Sequence, residues 1–299
     1  MNRKNMLIAF LIITALFCNA CGRKVPNQGQ RLQSKLTITT SFYPIYILTL
    51  NVTKDIPGVN VVNMAKPQTG CLHDYQLTPD DLSTLEDAQV FIVNGAGMES
   101  FLEKVFSQLP NLKIINSSSG ISLLKDPNSN IENPHVWLSI HNAILQVQNI
   151  ENQLAKIDKT HAINYRENAN NYIQKLKNLE NKMKSELSGV RNRNIITFHE
   201  AFPYFADEYN LNIAAVIERE PGSEPSAKDM ANIINTINNS KTHIIFVEPQ
   251  YSAKSAEAIA RETGAKIYNL NPIVTGPDSA NAYISIMENN LKTLKEALK

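Results

Sequence analysis

Short β-rich apolar runs recur over the first third of the chain, separated by stretches with helical spacing. Leu36–Thr40, Val59–Asn63, Val90–Val93 and Lys113–Ile115 read as strands. Alternation of this kind predicts βαβ units and a parallel sheet. One intervening helix carries a clear start signal: Thr78 as N-cap, Pro79 at the first helical position and Asp81 at the third. Leu82, Leu85 and Ala88 then recur at helical spacing. From His141 the strands stop. Residues 142–157 form an amphipathic pattern through Ile144, Leu145, Val147, Ile150, Leu154 and Ile157. Asp158-Lys159-Thr160 breaks it, and a longer pattern runs over 162–187 through Tyr165, Ala169, Tyr172, Ile173, Leu176, Leu179 and Met183. A helix of that length spans roughly 40 Å, the width of a small domain. Ser188-Gly189 provides its end. β-rich runs return at Asn194–Phe198, Ile213–Ile217, Ile244–Val247 and Lys266–Leu270, with a second capping signal at Ser226 and Asp229.

The pattern predicts an α/β chain of two lobes. Each lobe has a four-stranded, mostly parallel sheet flanked by helices, and a single long bridging helix joins them. The expected divisions are 36–158 for the N-terminal lobe, 159–189 for the bridging helix and 190–299 for the C-terminal lobe. The halves are organised alike without a clear sequence repeat. A chain of 299 residues with 43% hydrophobic content suits two modest cores. Its 29 Lys+Arg and 28 Asp+Glu leave a net charge of +1, which argues against a nucleic-acid partner.

The first residues differ in kind. Asn2-Arg3-Lys4 is a basic head, and Met6 to Phe17 is an apolar run of signal-peptide length, too short to span a bilayer comfortably. Cys18-Asn19-Ala20-Cys21 follows, and it resembles the processing site of bacterial lipoproteins. Cys21 fits the lipidated position better than Cys18, because small Ala20 precedes it whereas bulky Phe17 precedes Cys18. The position three before Cys21 holds Cys18 where such sites usually have Leu. Residues 1–20 are therefore expected to be a signal peptide, and 21–35 the lipidated cysteine and a flexible tether. That places the chain outside the cytoplasm, anchored to the outer face of the cell membrane. Cys71 is then the remaining thiol, with no intrachain partner.

Three of the six histidines stand just past the carboxyl end of a strand or in the loop after one. His73 follows the second strand, His135 the fourth, and His199 the first strand of the second half. In open parallel sheets, ligands collect outside the carboxyl ends of the strands. Neutral imidazole suits zinc, and three of them fill three of its four tetrahedral positions. Spacing alone leaves a structural role for each histidine open.

The surrounding residues resemble those of the zinc and manganese solute-binding proteins of ABC importers. Gly70-Cys71-Leu72-His73-Asp74-Tyr75-Gln76-Leu77-Thr78-Pro79 looks like that family's first metal motif. Asn133-Pro134-His135-Val136-Trp137-Leu138 looks like the second, with Asn133 where Asp is usual. Phe198-His199-Glu200-Ala201-Phe202-Pro203 looks like the third. Segments 220–226 and 246–251 add further matches, in order, over essentially all of the mature chain. The resemblance implies a metal buried between two lobes, His73, His135 and His199 as ligands, and delivery of Zn²⁺ to an ABC permease by a monomeric binding protein. The family's fourth ligand is a carboxylate after the last strand; the matching position holds Asn271. Asn271, water or a nearby carboxylate could complete the site. Nitrogen donors favour zinc over manganese. Asp74, Glu200 and Glu248 are the candidates to orient the rings and balance the ion's charge. The C-x-H spacing of Cys71 and His73 leaves a sulfur ligand open, but Cys71 is read as a free thiol at the cleft rim, and Trp137 as packing behind His135.

Competing readings are a manganese or other divalent-metal binder of the same family, a three-histidine zinc hydrolase, and an adhesin. No H-E-x-x-H or nucleophile motif is present, and nothing in the sequence points to a host ligand. The loop before the second motif is short and lacks histidine. A long connecting helix would limit lobe closure, so release is expected to involve local loop movement.

Overall fold

The computed structural model describes residues 36–65, 71–72, 75–125, 130–218, 224–240 and 242–299. The expected signal peptide, Cys21 and the tether lie outside the described residues. The first sheet comprises β1 (Leu36–Thr40), β2 (Val59–Asn63), β3 (Val90–Val93) and β4 (Lys113–Asn116), in the order β2-β1-β3-β4. The second comprises β5 (Asn194–Thr197), β6 (Asn212–Val216), β7 (Ile244–Val247) and β8 (Lys266–Asn269), in the equivalent order β6-β5-β7-β8. Every pairing in both sheets is parallel. Each predicted strand is present, with ends within one residue of the expected positions.

Helices cover both sheets. In the first half these are α1 (Tyr43–Val52), α2 (Pro79–Glu86) and the single turn α3 (Glu103–Phe106). Then α4 (Ile140–Ile157) and the long α5 (Ala162–Leu187) pack as a hairpin. The second half adds α6 (Pro203–Glu208), α7 (Ala227–Ser240), α8 (Lys254–Thr263) and α9 (Ala282–Ala297). The predicted starts have the expected chemistry. Thr78 Oγ1 accepts the Asp81 N–H at 3.3 Å, while Asp81 Oδ2 accepts the Thr78 N–H at 2.7 Å. Ser226 and Asp229 exchange the same pair of bonds before α7, at 3.2 and 3.3 Å. Each box satisfies two N–H groups that a helix start leaves without intrahelical partners.

The central strands are buried on both faces, and their side chains alternate between two clusters as the strand period requires. On β3, Val90 and Ile92 join the largest cluster, while Phe91 and Val93 face Met64, Leu85 and Leu102. On β7, Ile244 and Phe246 join that same largest cluster, while Ile245 and Val247 face Ile233, Ile237 and Ile259. The largest cluster is therefore common to both halves. It runs from Ile38 and Ile92 through α1, α4 and α5 to Phe246, Leu270, Tyr283 and Leu294. The long helix α5 lays one face, from Tyr165 to Leu187, into this shared core, and α9 returns to pack on α5 and α1. The carboxyl ends of the two sheets carry the loops that form the site.

Candidate metal centre

Cys71, His135 and His199 come together from three separate segments, with their ligand atoms all within 4.8 Å of one another. His199 is the second residue beyond β5, and His135 ends the loop between β4 and α4. Both are buried, His135 at 2% and His199 at 0% exposure. Cys71 lies between β2 and α2.

Hydrogen bonds orient each ring. Glu248 directly follows β7, and its Oε1 accepts from His199 Nδ1 at 2.7 Å. A carboxylate oxygen accepts, so Nδ1 is the donating nitrogen of His199 in this pair. His135 Nδ1 lies 3.0 Å from Asn133 Oδ1, which also accepts the His135 backbone N–H at 3.0 Å. The Asn133 amide nitrogen donates to the Glu200 carbonyl at 2.9 Å, which identifies Oδ1 as the acceptor facing His135. With Nδ1 of each ring engaged from behind, both rings turn Nε2 inward. Those two Nε2 atoms are 3.3 Å apart. Two nitrogens bound to one tetrahedral zinc at 2.0–2.1 Å stand roughly 3.3 Å apart. The donor set and its spacing therefore fit a tetrahedral divalent ion.

The rings are held rigidly. Trp137 is fully buried behind His135, with ring centroids 5.3 Å apart. Its indole N–H donates to the Pro272 carbonyl at 2.8 Å, and Tyr283 donates to the Trp137 carbonyl at 2.7 Å. On the other side, Asn94 donates to the Pro134 carbonyl at 2.9 Å. Gln146 in turn donates to Asn94 Oδ1 at 3.0 Å. Glu99 anchors this arrangement by accepting the backbone N–H groups of Asn94 and Gly95 at 2.7 and 3.0 Å. Gly95 has φ +82° and admits no Cβ, which would lie 2.1 Å from Asn116 Oδ1. Burial pushes the Glu99 carboxyl up to about 7, against the opposing effect of those N–H donors.

The reading of Cys71 as a thiol at the cleft rim is corrected. Cys71 is 8% exposed, and its Sγ stands 3.3 Å from His135 Nε2. The reason lies far away in sequence: the Cys71 backbone N–H donates to the Tyr251 hydroxyl at 3.0 Å, which turns the side chain inward. His73 and Asp74 lie outside the described residues. Asn271 is engaged in its own loop. Its Oδ1 accepts the Ile273 N–H at 2.8 Å, and Asn290 bonds both its backbone N–H and its carbonyl. Glu200 contributes the carbonyl that orients Asn133. Of the other histidines, His141 lies in the first turn of α4, His161 precedes α5 and faces Asp158 at 2.6 Å, and His243 precedes β7.

Two parallel α/β sheets over a shared core, with buried imidazoles meeting between their carboxyl edges, define a two-lobed metal-binding solute-binding protein. The chain belongs to the family described as zinc-uptake complex component A, periplasmic, whose sequence profile matches residues 38–297. It is similar to the high-affinity zinc uptake system protein ZnuA of Bacillus subtilis, with 31% identity over 95% of this chain and 94% of that protein. It is 30% identical to the zinc-binding lipoprotein AdcA of Streptococcus pneumoniae over 99% of this chain, spanning 61% of AdcA's length. Among solved structures, a zinc-bound deletion mutant of ZnuA superposes with a TM-score of 0.79 at 30% identity, covering 88% of this chain and 98% of that one. As a member of this family the chain is a binding component of an uptake system, extracytoplasmic in type, and not an enzyme. Among the described residues, no helix is long and apolar enough to cross a membrane.

Proposed function

We propose that this chain captures Zn²⁺ between its two lobes, with His73, His135 and His199 as ligands, and delivers it to the permease of an ABC importer. One observation carries the reading: two buried imidazole Nε2 atoms, one from each half, converge to 3.3 Å, the spacing of two nitrogens on one tetrahedral zinc. Both rings are orientated from behind, His199 by the anionic Glu248 and His135 by the neutral Asn133. Such outer partners fix ring geometry and strengthen the donor. Nitrogen donors support zinc over manganese, which prefers oxygen. The names of ZnuA and AdcA agree with that preference. Asp74, beside His73, is a further candidate to balance the charge. Lipidation at Cys21 would hold the protein, as a monomer, on the outer face of the membrane; the lipoprotein relative supports that anchor.

Titration of the purified protein with Zn²⁺ and with Mn²⁺ tests the proposal. The expected result is one zinc per chain, bound much more tightly than manganese, with His135→Ala and His199→Ala each weakening it. Wild-type affinity in His199→Ala would remove the site altogether. Radiolabelled zinc uptake in cells lacking the protein, restored by the wild type and not by His199→Ala, tests delivery.

A further inference from the structure

The geometry points to Cys71 as a zinc ligand: its thiolate completes the coordination of the bound ion, an inference that rests on the metal-site reading above. Four observations carry it. First, Cys71 Sγ belongs to the same cluster of converging donors as His135 and His199, all within 4.8 Å. Second, Sγ stands 3.3 Å from His135 Nε2. In a tetrahedral zinc site with a sulfur at about 2.3 Å and a nitrogen at 2.0–2.1 Å, that sulfur–nitrogen edge is roughly 3.6 Å. A shift of a few tenths of an ångström thus brings the pair onto one ion. Third, the thiol is buried and its backbone is tied to Tyr251 in the second half, whose ring also stands 6.0 Å from His199. Fourth, Asn271 is held within its own loop, its Oδ1 accepting the Ile273 N–H and its backbone bonded on both sides by Asn290.

Charge supports the same assignment. Neutral imidazoles such as those of His135 and His199 leave the ion's double positive charge whole. A thiolate at Cys71 cancels one unit, and Glu248, acting through His199, opposes the other. On binding, the thiol proton leaves to solvent as the metal–sulfur bond forms. A sulfur donor also narrows the cargo. Thiolate favours borderline and soft ions such as zinc, cobalt(II) and cadmium, and disfavours manganese and magnesium.

The test uses the full-length protein loaded with one equivalent of zinc and X-ray absorption at the zinc edge. The expected spectrum has one sulfur scatterer at about 2.3 Å together with nitrogen at 2.0–2.1 Å. Cobalt(II) substitution should give a thiolate-to-metal charge-transfer band. In Cys71→Ser the sulfur shell and the band should vanish while one metal ion still binds, with about 10- to 100-fold weaker affinity for zinc and a larger loss for cadmium. Stoichiometric zinc with only nitrogen and oxygen neighbours in the wild type overturns the Cys71 assignment and leaves the histidine site standing. A sulfur shell that persists in Cys71→Ser traces to Cys18 or Cys21 and overturns it equally. Failure to bind zinc stoichiometrically overturns both readings.

Discussion

Two buried carboxylates stand beyond corresponding strands of the two sheets, and they do different work. Glu99 follows β3 in the first half, and Glu248 follows β7 in the second; both strands hold the same place in their sheets. Neither is appreciably exposed, at 6% and 2%. Glu99 spends both oxygens on backbone N–H groups of a tight turn. Glu248 faces a histidine with one oxygen, while its Oε2 is buried without a hydrogen-bond partner. The first arrangement holds a loop. The second sends negative charge through an imidazole toward whatever that imidazole binds. A buried carboxylate is thus informative through the group it faces rather than through its burial.

The sharpest break of this comparison is at the imidazole itself. Structural zinc sites with four ligands bind with about 10–16 kcal/mol, or roughly 2.5–4 kcal/mol per ligand. His199→Ala should therefore weaken zinc on the order of 100- to 1,000-fold by competition titration against a chelator.

Glu99 should show itself in stability rather than in zinc affinity. Its folded-state carboxyl is raised to about 7, so between the ordinary glutamate value and 7 the folded protein keeps a proton that the unfolded chain has released. Stability should be full below that window and fall as pH rises through it. About 2.5 pH units at about 1.4 kcal/mol each gives on the order of 3 kcal/mol. Denaturant unfolding of zinc-free wild type and Glu99→Gln across the window should show the gap between them changing by about that amount. A gap independent of pH would refute the assignment.

Glu248→Gln keeps the shape and removes the charge, and should loosen zinc by about 10- to 100-fold with little change in melting temperature. Asn133→Ala removes a neutral partner from the other ring and should lie at the lower end, about tenfold. If Asn133→Ala proved the more damaging of the two, the contrast between a charged and a neutral orienting group would collapse.

Much of this was legible from the pattern of residues. Eight strands, the long helix and both capping boxes followed from local apolar runs and short-range chemistry. The His135 and His199 motifs were legible because each stands on the carboxyl side of a strand that the pattern itself marked, His199 close behind β5 and His135 at the end of the loop after β4. What escaped the sequence depends on distant partners. Helix α1, Tyr43–Val52, is buried almost all round, so it has no polar face and no helical period to detect. The inward turn of Cys71 depends on Tyr251, 180 residues away. Glu99 is held by backbone groups, which carry no side-chain signature. The shared core likewise required α9 to cross back onto α5, a path that no local pattern encodes.

The spacing of the converging residues has a thermodynamic consequence. Cys71 and His135 are 64 residues apart, and His135 and His199 another 64. No short stretch of chain can gather these donors, so an unfolded polypeptide offers the ion nothing comparable. Cargo then acts as a brace for the native state. At a free-ion concentration a hundred times the dissociation constant, occupancy adds about 2.7 kcal/mol to folding stability. A loaded protein should resist proteolysis at temperatures where an empty one yields, and handing over the ion returns the carrier to its less stable form.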